Sequence, residues 1–472
     1  MSRTRRSSTH HEGTKTTKVT KTILVLVFFV ISFVPSRFAV AQEGHPLTGT
    51  WTGDVGAKHV TLALEWDGKN VTGTINPGPN ASQIKTGSLT PAGWSVHLEA
   101  EGAEGKARIV LDSALANLGS PSRTLTGTWT EGATRTPITL TRVDSYSSSN
   151  SGDLPRAIVY DGPRITLRGT VTSVEWINPR VRFALADAAS RQPWTIEVAD
   201  GATTLEREGY NARTLKIGDV VKVQAASSSS DKGRALASAV TLGRGGAQLF
   251  KLAVATQKVF GPVPRWPDGQ VQLGPPAGAK GYWKAEVAEG DSANLKAGEA
   301  VALPWAKAVY DFRARTKFKD DPFGRCVPPG GPRQFLGPQG FQFVDLRTRV
   351  LVLHGDGNRN WRIVATDGRP LAQPADVVSS YYGTSVGRWN GDTLVVDSVG
   401  YNEKFWFHAA GLPHTEALHL TERFTRTDLS TLKYDVTVDD PRTYSKPWTM
   451  TYSMRWMANQ ELQEFFCEEK TS

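Results

Sequence analysis

Lys446-Pro-Trp-Thr-Met-Thr-Tyr-Ser-Met-Arg-Trp456 decides the fold class, because the character of its side chains alternates from one residue to the next. The apolar members occupy every second position: Trp448, Met450, Tyr452, Met454 and Trp456. A period of two is typical of a β-strand that is buried on one face. Residues 416–426 and 431–438 alternate in the same way. The three segments predict an antiparallel sheet that either packs its aromatic face in a core or closes with its polar face around a wet site.

This sheet belongs to a predicted C-terminal antiparallel β domain at 301–472. Trp389-Asn390-Gly391-Asp392 is a two-residue hairpin signal. One helix is predicted at 304–316, because Pro304 suits a first helical position and Trp305, Val309 and Phe312 share one stripe. We expect this helix to pack on the last barrel or to plug one of its ends.

The N-terminal module, 46–143, contains Thr-rich alternating segments separated by turns. Leu47-Thr-Gly-Thr-Trp-Thr52 is nearly repeated as Leu125-Thr-Gly-Thr-Trp-Thr130. Similar strands at both ends predict neighbours in a closed up-and-down barrel, with Trp51 and Trp129 as plugs. The Gly-x-Trp start resembles calycin-type barrels, which include lipocalins and avidins.

The middle module, 164–242, reads as three strands, a short helix over 202–210 and two strands, which fits a small OB-type barrel. Its segments 168–179 and 215–221 resemble an uncharacterised family of small exported bacterial domains, in which His stands at the position of Arg180. A Gly/Pro-rich linker with one helix at 248–259 is predicted over 243–300. The fold class is therefore mainly β, a tandem of small antiparallel barrels or sandwiches.

A leader at 1–41 predicts export. It combines basic residues, an apolar run of about a dozen residues at 23–34 and the small-x-small signal Ala39-Val40-Ala41. Cleavage after Ala41 would deliver a periplasmic or secreted protein. The alternative is a retained signal anchor.

Charge gives little support for a polyanionic partner. The leader holds seven Lys or Arg and one Glu, so it carries +6 of the total +9 and leaves +3 on the remainder. The remaining basic residues are interspersed with acidic ones. We therefore expect no nucleic-acid partner and no membrane contact beyond the export signal.

Two cysteines, Cys326 and Cys467, are present. In an exported chain a disulfide between them is the expected state, with free thiols as the alternative. Two thiols are too few for a thiolate metal site, and no Cys-x-x-Cys motif suggests redox catalysis.

Long motifs of the C-terminal module resemble an uncharacterised family of exported bacterial proteins over nearly its whole length. The most specific are Gly387-Arg-Trp-Asn-Gly-Asp-Thr-Leu-Val-Val-Asp397, Pro413-His-Thr-Glu-Ala-Leu-His-Leu-Thr-Glu-Arg-Phe424 and Asp439-Asp-Pro-Arg-Thr-Tyr-Ser-Lys-Pro-Trp-Thr449. This resemblance implies no known activity.

His414, Glu416 and His408 are the candidate metal ligands. They lie in or beside one loop, and imidazoles with a carboxylate suit a divalent cation. The alternative is a hydrogen-bonded loop histidine. No cofactor is predicted, and a divalent metal stays as the open alternative.

His419, Asp435 and Arg423 are the candidate acid–base residues, because they fall on one polar face if the strand register is simple. The same residues would also make a salt-bridged sheet surface. Glu422 lies within the apolar face, either through a bulge or as a buried acid bound to an arginine such as Arg388.

Three functions are open. The leading one is binding of a small, partly apolar molecule or of an envelope component, with Trp448, Tyr452 and Trp456 as candidate ligand-binding residues. The second is an enzyme, an acid–base or metal-assisted hydrolase or lyase, that uses the polar face of the C-terminal module. The third is a purely structural envelope protein. The sequence contains no nucleophile elbow and no dinucleotide fingerprint, so it leans away from an enzyme; oligomeric state is not indicated.

Overall fold

The computed structural model describes residues 44–101, 107–119, 122–143, 162–177, 180–190, 192–198, 201–228, 231–243, 246–250, 261–286, 293–316, 318, 320–337, 339–355 and 360–462. Within them the chain is mainly β and forms three closed sheets in sequence order, which confirms the predicted fold class. The predicted leader lies outside these residues. Over the same residues, every helix is too short or too polar to traverse a bilayer.

The first barrel has eight antiparallel strands in sequence order, and the last strand closes against the first. They are β1 (Gly49–Val55), β2 (Lys58–Trp66), β3 (Val71–Ile75), β4 (Ser82–Thr90), β5 (Ser95–Glu101), β6 (Ile109–Ala116), β7 (Thr124–Glu131) and β8 (Thr134–Val143). Trp51 and Trp129 are buried inside, as predicted. The predicted contact between the two repeated segments is wrong, because β8 lies between β1 and β7.

The second barrel has the predicted succession of three strands, helix and two strands. The elements are β9 (Arg164–Glu175), β10 (Arg182–Asp187), β11 (Pro193–Val198), α1 (Ala202–Arg207), β12 (Val220–Ser227) and β13 (Arg234–Leu242). β9 pairs with both β10 and β12, and a parallel ladder between β11 and β13 closes the sheet. This strand order is that of a small OB-type barrel.

The third barrel has nine strands, β15 to β23. They are β15 (Gly281–Ala285), β16 (Phe341–Asp345), β17 (Arg349–His354), β18 (Trp361–Ala365), β19 (Thr384–Asn390), β20 (Thr393–Val399), β21 (His419–Arg426), β22 (Thr431–Asp439) and β23 (Trp448–Ala458). Neighbours are antiparallel except β18 and β19, which are parallel. The module is thus antiparallel as predicted except at this one pair, because the connection over 366–383 returns along the barrel before β19 begins.

The alternation in β21, β22 and β23 sets the inside and the outside of this barrel. Residues on the apolar face are buried, and those between them are partly or fully exposed. The first of the two arrangements open from the sequence is thus the observed one. The predicted two-residue hairpin joins β19 and β20, but its turn residues are Gly391 and Asp392, because Asn390 still pairs with Thr393; Gly391 has φ +57°.

The predicted linker at 243–300 contributes strands to two barrels, which corrects that interpretation. Gln248–Leu249 forms β14 on the edge of the second barrel instead of beginning a helix, and 251–260 lies outside the described residues. β15 pairs with β23 and so completes the third barrel. A Cβ on Gly281 would lie 2.1 Å from the Trp456 ring, so the absence of a side chain lets β15 approach. Helix α2 (Lys296–Val301) follows.

Helix α3 (Pro304–Arg315) confirms the predicted helix and joins the first and third barrels. Its Phe312 packs on the core of the first barrel. The indole N–H groups of Trp305 and of Trp66 in β2 both donate to the carbonyl of Arg442, at 3.1 and 3.0 Å. The helix therefore packs on the last barrel as expected, and on the first barrel as well.

Candidate functional site

The interior of the third barrel contains charged and polar side chains at one end, whereas that of the first barrel is filled by a cluster of apolar ones. Alternation places His354 on the same face of β17 as Val350 and Val352, and Arg362 on the same face of β18 as Val364. Glu422 occupies the equivalent inward position of β21. Buried ionisable groups have to be paired or neutral, so their partners define what this end of the barrel can do.

Arg362 and Glu422 form a fully buried ion pair, with side-chain exposures of 1% and 0%. The Arg362 guanidinium also donates to Ser385 Oγ at 2.9 Å and to Ser398 Oγ at 2.6 Å. Tyr434 donates its hydroxyl proton to Glu422 Oε1 at 2.8 Å. Burial by itself would lower the pKa of the Arg362 guanidinium. The negative charge of Glu422 has a larger effect in the opposite direction and holds that pKa above its usual value.

Glu422 is thus the buried acid that one reading of the sequence proposed. Its arginine is Arg362 on β18, not Arg388. Arg388 faces outward and pairs with Asp397 at 2.7 Å. The neighbours of Arg362 are set by the parallel pairing of β18 with β19. No local sequence pattern predicts that pairing, so the sequence could not indicate which arginine binds Glu422.

Several buried polar atoms beside this pair form no hydrogen bond of good geometry within the described protein, although the Gln334 backbone lies near the His354 ring and Ser398 lies near the Tyr401 hydroxyl. They are both ring nitrogens of His354, Arg362 Nη1, the Tyr401 hydroxyl, Gln334 Oε1 and Asn360 Nδ2. We call the residues that carry them the barrel-end cluster. Leaving such an atom unpaired costs about 1–3 kcal/mol, and buried polar atoms in folded proteins are otherwise nearly always bonded. Six of them together indicate a partner that the described residues do not supply.

Strand register brings the cluster together. Val352 pairs with Arg362, and the His354 amide donates to the Asn360 carbonyl at 3.0 Å, so these residues occupy adjoining positions of one hairpin. Burial, and secondarily the nearby Arg362 charge, lower the pKa of His354 to about 3. The imidazole is therefore neutral at physiological pH, with one nitrogen able to donate and the other able to accept.

Aromatic rings surround the imidazole. The Phe335 ring lies edge-on to His354 at a centroid distance of 5.4 Å, and the Tyr382 ring stacks on it at 5.5 Å. Phe335 belongs to a 3₁₀ helix, Gly331–Phe335, that enters the barrel and packs against Tyr434 and Phe424. The cluster thus offers hydrogen-bonding atoms set in an aromatic wall.

The candidate metal ligands are not gathered into a site. Both ring nitrogens of buried His414 contact carbonyl oxygens, of Phe405 at 3.0 Å and of Thr415 at 3.3 Å. His408 Nδ1 accepts from the Ala410 amide, and the exposed Glu416 carboxylate accepts from a serine hydroxyl. Over the described part of the chain, no three His, Cys, Asp or Glu side chains are arranged to hold a metal ion. The structure therefore fits the alternative of a hydrogen-bonded loop histidine.

The candidate acid–base residues share the outer face of the sheet, as the alternation predicts, but only Arg423 and Asp435 are direct cross-strand neighbours. His419 pairs across the ladder with Asp439, four positions from the pair formed by Arg423 and Asp435. That separation is about 13 Å along the strand. His419 instead approaches Asp397, at 3.5 Å. His419 is therefore separated from Arg423 and Asp435 on the face that all three share.

Trp448, Tyr452 and Trp456 line the interior but belong to its packed part. They are buried, and the Tyr452 hydroxyl donates to the Met450 sulfur. The Trp456 ring contacts Trp283 edge to face at 4.9 Å.

The pairing of the two cysteines stays a prediction. Cys326 ends a short 3₁₀ turn, and Cys467 lies outside the described residues.

Sequence analysis missed His354, Arg362, Tyr401 and Gln334. A usable signal existed for the first two, because each takes an apolar position in an alternating strand, as Glu422 does. No local pattern marks Tyr401 or Gln334, which reach the cluster from connections between strands.

Comparison with known proteins adds one match. Residues 156–237, which include most of the second barrel, match a family of unknown function, DUF6152. This supports the resemblance of the middle module to an uncharacterised family. No curated protein and no solved structure matches the chain.

Proposed function

We propose that this protein binds a small molecule at the barrel-end cluster of its third barrel. The observation that carries the proposal is the group of six buried polar atoms, on neighbouring residues, that form no hydrogen bond of good geometry within the described protein. Binding sites for small molecules combine an apolar wall with a few convergent polar groups, and this end of the barrel has that composition.

The charges favour an uncharged ligand. The positive charge of Arg362 is already matched by Glu422, and the burial that lowers the pKa of His354 to about 3 keeps its imidazole neutral. Arg362 Nη1 and Asn360 Nδ2 supply donors, Gln334 Oε1 supplies an acceptor, and Tyr401 can do either. A molecule with a flat apolar body and hydroxyl or carbonyl groups would satisfy these atoms and pack on the Phe335 ring.

The experiment is to purify the protein under native conditions, extract it with organic solvent and identify released molecules by mass spectrometry. Tyr401→Phe removes one hydroxyl of the barrel-end cluster and should reduce the amount of bound molecule at least severalfold. Tyr452→Phe is the matched control, because it removes a hydroxyl of the same barrel that is bonded to Met450, and it should retain the molecule. An extract that contains no molecule in stoichiometric amount, or equal retention by both variants, would contradict the proposal.

We also propose that the protein acts in the periplasm or outside the cell. The proposal is supported by the leader pattern at 1–41 and by the presence of two cysteines, the number that one disulfide requires. Intact mass spectrometry tests both points. A chain that begins at Gln42 and is two hydrogens lighter than its reduced form is expected; a full-length chain would favour the retained anchor instead of cleavage, and a fully reduced chain would oppose export.

A further inference from the structure

The wall of the third barrel is interrupted beside the barrel-end cluster. β18 and β19 share two residue pairs, Val364 with Ser385 and Ala365 with Val386, whereas β19 and β20 share seven. Trp361, Arg362 and Ile363 of β18 therefore extend beyond the described ladder with β19. The ladder between β15 and β16 is also short, but buried Trp283 and Phe341 fill the interior there.

Residues 380–383, which we call the Tyr382 strap, turn away from β18 at this interruption. The Ser380 amide donates to the Gly400 carbonyl, and the Asn402 amide donates to the Ser380 carbonyl, each at 2.9 Å. The Gly383 amide donates to Ser380 Oγ at 3.0 Å. These bonds fix the backbone of the strap to the end of β20. The space in front of Arg362 is therefore covered by side chains and not by backbone.

The Tyr382 side chain covers that space. Its ring stacks on His354 at a centroid distance of 5.5 Å with an interplanar angle of 19°. Tyr382 is half-buried, whereas His354 is 4% exposed. One face of the tyrosine ring thus contacts the cluster, and the residue is partly exposed although its hydroxyl oxygen is buried.

We infer that the ligand reaches the barrel-end cluster between β18 and β19, and that the Tyr382 side chain is the gate of this opening. The inference rests on the proposed function and adds the route and the residue that controls it. Rotation of Tyr382 about its χ1 bond would uncover His354 while the strap keeps its bonds to Gly400 and Asn402. Opening therefore requires a side-chain movement and no break in a strand ladder.

The test measures how fast a small reagent reaches His354 in the full chain. Diethyl pyrocarbonate acylates neutral imidazoles, and peptide mass spectrometry quantifies each histidine separately. His59, whose side chain is 65% exposed, is the internal reference. In the wild type His354 should react far more slowly than His59, and Tyr382→Ala should accelerate His354 about tenfold or more, because the covering ring is removed.

Tyr382→Phe is the matched control, since it keeps the ring, and it should react at close to the wild-type rate. An unchanged His354 rate in Tyr382→Ala would overturn the inference, as would equal acceleration in Tyr382→Phe. Near-UV circular dichroism checks folding, and Tyr382→Leu replaces the alanine variant if that variant does not fold. The reagent needs no natural ligand, so these rates test the gate, whereas an empty extract would count against the proposed function alone.

Discussion

At the residue scale, the third barrel pairs one buried charge with another and leaves adjoining polar atoms unsatisfied. Ser385, Ser398 and Tyr434 hydrogen-bond to the Arg362 and Glu422 pair. Each charge therefore has a counter-charge and hydrogen-bond partners inside the protein. Burying such a pair contributes little net stability, but removing one partner leaves the other charge unpaired in a medium of low polarity. The pair therefore serves to fix the donors and acceptors of the barrel-end cluster in place.

Arg362→Met should lower the free energy of unfolding by about 3–5 kcal/mol, because Glu422 is left buried without its counter-charge. The double variant Arg362→Met/Glu422→Leu should recover most of that loss. Urea unfolding measures both. Lys85→Met, at the exposed pair of Lys85 with Glu101, is the control and should change stability by less than about 1 kcal/mol. A loss in Arg362→Met no larger than in Lys85→Met would contradict the burial argument.

Glu403 gives a pH-dependent prediction. Burial, and then the neighbouring Glu416, raise the pKa of its carboxyl from the usual 4.5 to about 8. Between these values the unfolded chain has released the proton and the folded chain still holds it, so stability should fall as pH rises from about 4.5 to 8. The slope contributed by this group is at most about 1.4 kcal/mol per pH unit.

Urea midpoints measured from pH 5 to pH 8 test this slope. Glu403→Gln should flatten the decline, because an amide does not titrate. Glu101→Gln, at an exposed carboxylate, should keep the wild-type slope. Identical pH profiles for the wild type and Glu403→Gln would refute the assignment.

At the element scale, the strands that the sequence predicted best are those with strict alternation. The alternation from Trp448 to Trp456 predicted both the strand and its buried face. A shift of one residue would turn every aromatic side chain outward. β15 could not be recognised from the sequence, since it is five residues long and gains its stability from β23, which is more than 160 residues away. The parallel pairing of β18 with β19 could not be predicted from the sequence either, so the residues that surround Arg362 could not be predicted.

Gly281→Ala tests the close packing of β15. The added Cβ would lie 2.1 Å from the Trp456 ring, so we expect a loss of about 1–3 kcal/mol and an altered near-UV circular dichroism signal from the displaced indole. Gly278→Ala is the nearby control. Its Cβ meets nothing within 4 Å, so it should leave the aromatic signal unchanged although its φ of +76° costs some backbone strain. An unaltered aromatic spectrum in Gly281→Ala would show that the packing is looser.

At the scale of the whole molecule, α3 links the first and third barrels through tryptophans that converge on one carbonyl, that of Arg442. His45, just before β1, stacks on Trp66 at 4.3 Å and meets the Trp305 ring edge-on at 5.2 Å. These contacts are aromatic and include the buried His45 and Trp305, so we expect the two barrels to unfold together.

Trp305→Ala should uncouple them, because it removes a side chain that is 4% exposed at the centre of this joint. A buried Trp→Ala change costs about 3–5 kcal/mol, and calorimetry should resolve a separate transition for each barrel. Trp361→Ala is the matched control, since Trp361 is 61% exposed, and it should keep the wild-type trace. A single transition in both variants would show that α3 does not couple the barrels.

The most direct measurement is a crystal structure of the natively purified protein at a resolution that shows ordered water. We expect continuous density larger than a water molecule between Arg362 Nη1, the Tyr401 hydroxyl and His354, within hydrogen-bonding distance of at least two of them. Separate water peaks, or side chains rearranged to pair with one another, would contradict a small-molecule site in the third barrel.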